Sequence, residues 1–335
     1  MIQLPDRFKI LLTFTGIFLL ILFFPALYRP DIFLSLNKKD LPGFVMRLQQ
    51  INPDYIFIGN SMLGSRINPE YLYALTGKKS YLLWTGGAAS AAWYLMLKNA
   101  VLASGVRPQS VIFFFRDTFL TEPAYRTGGV YRRKIKFFST DNETVLDSLL
   151  RKDKSLKELC YDRLTDLYPI LDINSQQAAA YISAACIHSL GKIFSRGFEI
   201  SQVNALLDFS NFRQSDTDGD SAAAESALHY NFTAALPGSF LPHMIKLAKD
   251  NHVQLVFIRV QRRPVNNMPP VQSTALKQYI KELDSYLKQE NIVFHDFNGD
   301  PRITLDMYGT GDHIDEKKNN LYTEIFAETL RGILK

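Results

Sequence analysis

The feature that most constrains the fold of this chain is a series of short apolar runs that alternate with helical patterns. Runs rich in β-branched and aromatic residues, bounded by turn residues, predict strands at 55–58, 80–84, 111–115, 253–260 and 292–297. Helical periodicity falls at 88–104, 239–251, 272–289 and 316–334. Helices of this length connect parallel strands, so we predict an α/β fold with a mostly parallel sheet covered by helices on both faces.

A long segment at 118–237 interrupts this alternation. It is mainly helical in pattern, including 175–194, and is followed by a polar stretch at 214–225. We interpret it as an insertion or cap that lies above the carboxyl edge of the sheet, where it shapes an acceptor groove or binds a partner. The α/β domain then has two parts, residues 31–117 and 238–335.

The first 30 residues predict a membrane anchor. Residues 10–27 are almost entirely apolar, carry no charge and follow Arg7 and Lys9, and the run is long enough to span a bilayer. A cleaved secretory signal is the alternative, but the run exceeds a typical signal core and residues 24–28 offer no clear small-x-small cleavage site. Basic residues on both flanks leave the orientation open. By default we expect the following domain to be extracytoplasmic, either periplasmic or extracellular.

The formal net charge of +5 and the pI near 9.0 describe a basic protein. The basic residues are scattered and are not interleaved with aromatic residues, so nucleic acid is not a predicted partner. A basic surface facing anionic lipid or an acidic polymer is the preferred interpretation. The densest patch, at 132–136, is more typical of a solvated loop face than of a binding site.

No metal or cofactor is predicted. Cys160 and Cys186 are too far apart for a Cys-x-x-Cys metal pair, and the sequence is equally compatible with one disulfide and with two buried thiols. The acidic run at 216–220 has a misplaced glycine for a calcium loop and no glutamate at the twelfth position. Serine-based acyl chemistry, for which the chain has candidates, requires no cofactor.

Two segments carry the candidate chemistry. Ser61 follows an apolar strand at a small turn, and Asp312 and His313 precede the final helix. A serine hydroxyl becomes a nucleophile when an imidazole removes its proton, and a carboxylate usually fixes the imidazole tautomer. We therefore predict Ser61 as nucleophile, His313 as general base and acid, and Asp312 as its orienting partner.

Further residues at strand ends are candidates for binding the oxyanion or the substrate. Asn60 precedes the serine, and Gly86 follows the second strand at a point where glycine permits close backbone approach. Gly86 and Gly87 are equally suited to serve only as a turn into the next helix. Arg116 and Asp117 follow the third strand and are predicted to lie at the same edge of the sheet, although they are also suited to cap the next helix.

Gly59-Asn60-Ser61, Gly86 and His313 resemble motifs of the SGNH, or GDSL-like, hydrolase superfamily. The resemblance extends to its membrane-anchored branch, which includes the D-alanyl transfer protein of lipoteichoic acid synthesis and the alginate O-acetylation proteins. It implies a three-layer α/β sandwich with Ser61 as nucleophile and oxyanion donors after the second and third strands. It further implies a membrane-bound O-acyltransferase as partner and a polysaccharide or glycolipid acceptor in the cell envelope.

The chain departs from the family pattern at two places. Asp117 stands where an asparagine follows the third strand in the family, and Thr310 occupies the place of the aspartate three residues before the histidine. Asp306 is therefore a second candidate for the acidic partner, and a Ser–His dyad is a third arrangement.

Three hypotheses follow for the function. The first is a membrane-anchored serine acyltransferase or esterase acting on an envelope glycan, with transfer preferred. The second is an inactive SGNH-like scaffold or glycan-binding subunit, and the third is an anchored hydrolase that faces the cytoplasm and acts on lipid.

Overall fold

The computed structural model describes residues 41–127, 130–150, 230–265, 268 and 271–333. The strands are β1 (Tyr55–Gly59), β2 (Ser80–Trp84), β3 (Ser110–Phe115), β4 (Leu255–Arg259) and β5 (Val293–Asp296). The α-helices are α1 (Leu41–Ile51), α2 (Ser61–Arg66), α3 (Pro69–Thr76), α4 (Ser90–Leu95), α5 (Val130–Phe138), α6 (Thr144–Leu150), α7 (Phe232–Ala235), α8 (Leu241–Asp250), α9 (Thr274–Gln289) and α10 (Asn319–Ile333).

The five strands form one parallel sheet in the order β2-β1-β3-β4-β5. Within the sheet, the chain passes first through β1, then through its outer neighbour β2, and then crosses to β3 on the other side of β1. Because all strands run in the same direction, their carboxyl ends lie at one edge, where ligand sites form in such sheets. The predicted α/β fold with a parallel sheet flanked by helices is confirmed.

The central strands form the core of the sheet. All residues of β1, β3 and β4 are buried, as expected for parallel strands covered on both faces. On one face, Phe326 of α10 packs against Phe57 and Phe114, with ring centroids 5.7 and 5.3 Å apart. Phe113 stacks on Phe257 at 5.1 Å, and strand alternation directs Phe113 to the face opposite Phe114.

The predicted strand positions agree with the structure to within two residues at every end, and the largest difference is at the start of β4. The predicted helix at 88–104 is different: α4 is followed by a π-helical segment (Met96–Val101) and a 3₁₀ turn (Leu102–Ser104). Inside the π segment, the buried Asn99 amide donates to Phe138 O at 2.7 Å and to Glu143 Oε1 at 2.6 Å. Helical periodicity in the sequence does not distinguish this wider turn from an α-helical one.

Several predictions lie partly or wholly outside the described residues. The described parts of the proposed insertion contain α5, α6 and α7, whereas 175–194, 214–225, Cys160 and Cys186 fall outside. The proposed domain boundaries and the helical insertion stay predictions. No helix among the described residues is long and apolar enough to cross a membrane, and the predicted anchor at 10–27 lies outside them.

Candidate active site

Ser61 is the first residue of α2, directly beyond the carboxyl end of β1. The preceding residue, Asn60, is buried and caps the helix, because its Oδ1 accepts the N–H of Met62 at 2.9 Å. The Asn60 amide donates to Ala88 O at 3.4 Å, which links the turn after β1 to the loop after β2. The structure therefore places Asn60 beneath the nucleophile as a cap, and its amide group is engaged by the protein itself.

His313 lies against Ser61. Its Nε2 is 2.9 Å from Ser61 Oγ, although 252 residues separate the two in sequence. The loop that carries His313 is attached to α2 through Ser65, whose hydroxyl accepts the N–H of Ile314 at 3.2 Å. The Ser65 carbonyl accepts from the Asn319 amide at 2.7 Å. One helix thus holds both the nucleophile and the loop that supplies its base.

The second ring nitrogen of His313 faces a backbone carbonyl. Nδ1 is 3.2 Å from Thr310 O, a distance at which a protonated Nδ1 donates to the oxygen. This tautomer leaves the Nε2 lone pair directed at the Ser61 hydroxyl, as a general base requires. Thr310 is the residue that stands in place of the aspartate in the family motif, and its main chain orients the ring here.

The carboxylates proposed to orient His313 are engaged elsewhere. Asp312 Oδ1 accepts the backbone N–H of Arg263 at 2.8 Å, and Asp312 Oδ2 binds the Arg116 guanidinium. Asp306 is exposed and lies 2.5 Å from Thr304 Oγ1 and 3.0 Å from Lys318 Nζ. Among the described residues, neither carboxylate contacts the imidazole. The structure therefore corrects the proposed role of Asp312, since a residue next to the histidine in sequence points away from its ring.

The surroundings of His313 favour the neutral form of its imidazole. Burial lowers the pKa of His313 below its ordinary value, and the nearby Arg66 and Arg116 cations lower it further, against an opposing contribution from the Thr310 carbonyl. Arg66 is completely buried and donates to Met62 O and Gln261 O, both at 3.2 Å. Neutral imidazole is the form that accepts a proton, so this environment favours a base that functions at neutral pH.

The end of β3 provides a buried charge cluster. Asp117 accepts from Arg259 Nη2 at 3.0 Å and from Arg262 Nε at 2.7 Å, and Arg116 Nε lies 3.5 Å away. Burial raises the pKa of Asp117, but the three arginines outweigh this and keep it below its ordinary value. An ionised carboxylate donates no hydrogen bond, so Asp117 does not replace the oxyanion donor of the family motif.

Arg116 is a positioning residue in this arrangement. Its guanidinium lies at the end of β3 beside Asp117 and also binds Asp312 in the loop that carries His313, here called the histidine loop. Arg263 holds the same loop from the end of β4, donating from its side chain to Gly309 O at 3.0 Å. Together these contacts fix the loop to the carboxyl edge of the sheet.

Gly86 lies in a tight turn directly after β2. Ala88 N–H donates to Thr85 O at 3.0 Å to close the turn, and Gly87 has a φ of +70°, which favours glycine. Among the described residues, the N–H groups of Ser61 and Gly86 have no hydrogen-bond acceptor. Both groups therefore remain candidates for binding an oxyanion.

Helix α5 covers the Gly86 turn. The ring of Tyr131 lies so close to Gly87 that a Cβ there would overlap it, and the Lys134 ammonium donates to Gly86 O. These contacts were not expected from the sequence, because a pattern of basic and aromatic residues does not identify the turn it packs against. Arg66, Ser65 and Thr310 were also missed as parts of the site, for the same reason: their roles depend on contacts made across the fold.

No metal centre is found in the part of the chain that the structure describes, where no three His, Cys, Asp or Glu side chains cluster.

The sequence matches no protein-family model and no curated protein. Solved structures with a partial likeness include a protein assigned as an acylhydrolase from Bacteroides fragilis, with 12% identity, a TM-score of 0.38, and coverage of 87% of this chain and 97% of that chain. Another is a GDSL-like lipase from Bacteroides thetaiotaomicron, with 12% identity, a TM-score of 0.36, and coverage of 86% and 98%. These values are too low to carry an argument, so the functional conclusion depends on the site itself.

Proposed function

We propose that this protein is a serine-dependent carboxylic ester hydrolase or O-acyltransferase. The observation that carries the proposal is the 2.9 Å contact between Ser61 Oγ and His313 Nε2, with His313 Nδ1 facing the Thr310 carbonyl. A hydroxyl at a strand end, paired with an imidazole that a backbone carbonyl orients, is the arrangement that nucleophilic acyl transfer requires. Ser61 is the nucleophile, and His313 is the general base and acid.

The reaction proceeds through an acyl-enzyme. Ser61 Oγ attacks the carbonyl carbon of an ester while its proton moves to His313 Nε2, giving an imidazolium stabilised by the Thr310 carbonyl. The oxyanion of the tetrahedral intermediate is bound by the N–H groups of Ser61 and Gly86. As the intermediate collapses, the alcohol leaves with the proton from Nε2. Water or an acceptor hydroxyl then attacks the acyl-enzyme while His313 Nε2 takes its proton. Collapse of this second intermediate returns the proton to Ser61 Oγ and releases the acid or the acylated acceptor.

The biological setting we propose is the cell envelope. The apolar segment at 10–27 supports a membrane anchor, and the formal net charge of +5 suits work beside anionic lipid or an acidic polymer. An extracytoplasmic domain would then transfer an acyl group to a polysaccharide or glycolipid beside a membrane-bound O-acyltransferase. A C-terminal reporter fusion tests the orientation, and a cytoplasmic signal would favour the hydrolase that acts on lipid.

Fluorophosphonate labelling tests the chemistry. The full-length protein in detergent is treated with the reagent, and the adduct is located by mass spectrometry. We expect an adduct on Ser61 that is absent in Ser61→Ala and almost absent in His313→Ala. Two matched control variants should label normally. Ser285→Ala changes an exposed serine of α9. His252→Asn changes a histidine whose φ is positive, and asparagine is chosen because it tolerates this left-handed backbone conformation.

A second candidate, an inactive scaffold or glycan-binding subunit, is favoured by one observation: the imidazole faces a carbonyl where family members have a carboxylate. The same experiment separates the two. A folded wild-type protein that is not labelled, alone or with its membrane fraction, would refute the enzyme and favour the scaffold.

A further inference from the structure

Trp84 is a large aromatic residue exposed beside the candidate active site. It ends β2, the edge strand, and its side chain is 45% exposed. In the sheet it pairs with Gly59, two residues before the nucleophile, and in the chain it stands two residues before Gly86. Trp84 therefore lies on the strand next to the one that leads to Ser61, and two residues before the second candidate oxyanion donor.

One side of the indole is fixed by α2. A Cβ on Gly64 would lie 2.6 Å from Trp84 Cε2 and 2.7 Å from Cζ2, so the ring rests directly on the glycine backbone. Gly64 is three residues after Ser61, which places the contact on about the same side of the helix, one turn away. The absence of a side chain at Gly64 is what allows the large ring to approach the helix backbone so closely.

The rest of the ring has no such cover from the described residues. None of their aromatic rings or cations stacks on it, and none of them accepts a hydrogen bond from its indole N–H. The other tryptophan, Trp93, is completely buried in α4. Exposure of the apolar indole surface to water is unfavourable, so a ligand that covers this surface gains binding free energy.

We propose that Trp84 is a stacking platform for a pyranose ring of the saccharide that donates the ester or accepts the acyl group. This inference rests on the proposed function and names the part of the substrate that Trp84 binds. A sugar ring offers an apolar C–H face to the indole and hydroxyl groups at its edge to the indole N–H. The Lys134 ammonium binds the Gly86 carbonyl in the turn two residues after Trp84, and a polar, charged neighbour of this kind suits a saccharide better than a lipid chain.

Binding measured without turnover tests the proposal. Full-length Ser61→Ala protein in detergent is titrated with chitohexaose, maltohexaose and a mannuronate hexasaccharide, and tryptophan fluorescence is recorded. Because the chain has only two tryptophans and Trp93 is buried, a spectral shift reports mainly on Trp84. We expect a saturable shift with at least one hexasaccharide, and calorimetry supplies the affinity for variants that lack the indole.

Variants then assign the contact. Trp84→Ala should weaken hexasaccharide binding about two- to tenfold, the effect of one aromatic contact, while Trp84→Phe retains most of the affinity. Gly64→Ala keeps the indole but displaces it, so we expect a similar weakening. Tyr73→Ala removes an aromatic side chain of similar exposure, 51%, from α3 and should bind as the parent does.

Three outcomes would overturn the proposal: no binding of any hexasaccharide, binding that Trp84→Ala leaves unchanged, or a shift produced by dodecanoate and by no saccharide. Each is distinguishable from failure of the proposed function. A chain that labels at Ser61 yet shows any of these results is an enzyme whose sugar subsite is not at Trp84. A chain that fails to label but still stacks sugars on Trp84 is a binding subunit.

Discussion

Replacing Asp312 with asparagine separates the two possible arrangements of the site. In a triad with Asp312 as the orienting acid, the substitution would lower kcat/KM by about 10⁴-fold, as loss of the correct imidazole tautomer does in serine proteases. In the structure, Asp312 binds Arg116 and the N–H of Arg263, and the Thr310 carbonyl faces the ring. Asparagine keeps an oxygen for Arg263 and loses the charge that pairs with Arg116.

The expected magnitude follows from these contacts. A hydrogen bond to a charged group contributes about 1.5–3 kcal/mol, and since one acceptor remains in Asp312→Asn, we expect a stability loss of about 1–2 kcal/mol. Even if all of it appeared in the activation barrier through a looser histidine loop, kcat/KM would fall only about five- to thirtyfold. The loss should accompany a lower melting temperature.

The assay is hydrolysis of p-nitrophenyl acetate, measured together with thermal unfolding. Ser61→Ala and His313→Ala give the activity floor, and Asp306→Asn is the matched carboxylate control, which should behave as the wild type because its contacts are exposed. A thousandfold or greater loss in Asp312→Asn with an unchanged melting temperature would refute this reasoning. It would show that Asp312 orients the imidazole during catalysis.

Three further predictions follow from the same contacts. The pKa of His313 lies below its ordinary value, so activity should be lost only as pH falls through that lowered pKa; a pH–rate profile with an acidic midpoint above 6.5 would contradict this. Gly87→Ala combines a strained φ with a clash against Tyr131, and should lower stability by more than about 1 kcal/mol and reduce activity, measured by denaturant unfolding and ester hydrolysis. Asp117→Asn leaves Arg259 and its neighbours without their buried counter-charge and should cost about 3–5 kcal/mol in denaturant unfolding. Because the folded pKa of Asp117 is depressed, its wild-type contribution is present above the pKa of the unfolded carboxyl and is lost as pH falls through the folded pKa, so the cost of Asp117→Asn should shrink in acid.

Strand positions were readable from the sequence because the buried strands are continuous apolar runs with clear turn residues at their ends. The strands predicted at 55–58 and 111–115 needed no tertiary information, and in the structure they are one residue longer, as β1 and β3. Parallel pairing follows from the helices between strands, and it places the residues after each strand at one edge. The meeting of Ser61 and His313 agrees with that reasoning.

The roles of the charged residues were not readable in the same way. Asp312 adjoins His313 in sequence, but the tight turn closed by Gly309 N–H and His313 O directs the two side chains to different neighbours. From the sequence, Asp117 was a candidate substrate-binding residue. In the structure its carboxylate is paired with Arg259 and Arg262, which lie more than 140 residues later in the chain. Such pairings depend on distances that a single sequence does not encode locally.

The attachment of the histidine loop to α2 has a consequence for when the protein becomes reactive. Ser61 follows the first strand and is synthesised early. His313 follows the fifth strand, and so does α10, which secures the histidine loop through Asn319. Thr323 of α10 also accepts the N–H of Asn68 at 2.9 Å, just beyond α2. The contact between Ser61 and His313 therefore requires that α10 has docked, so the two side chains meet only after the C-terminal part of the sheet and its last described helix are in place.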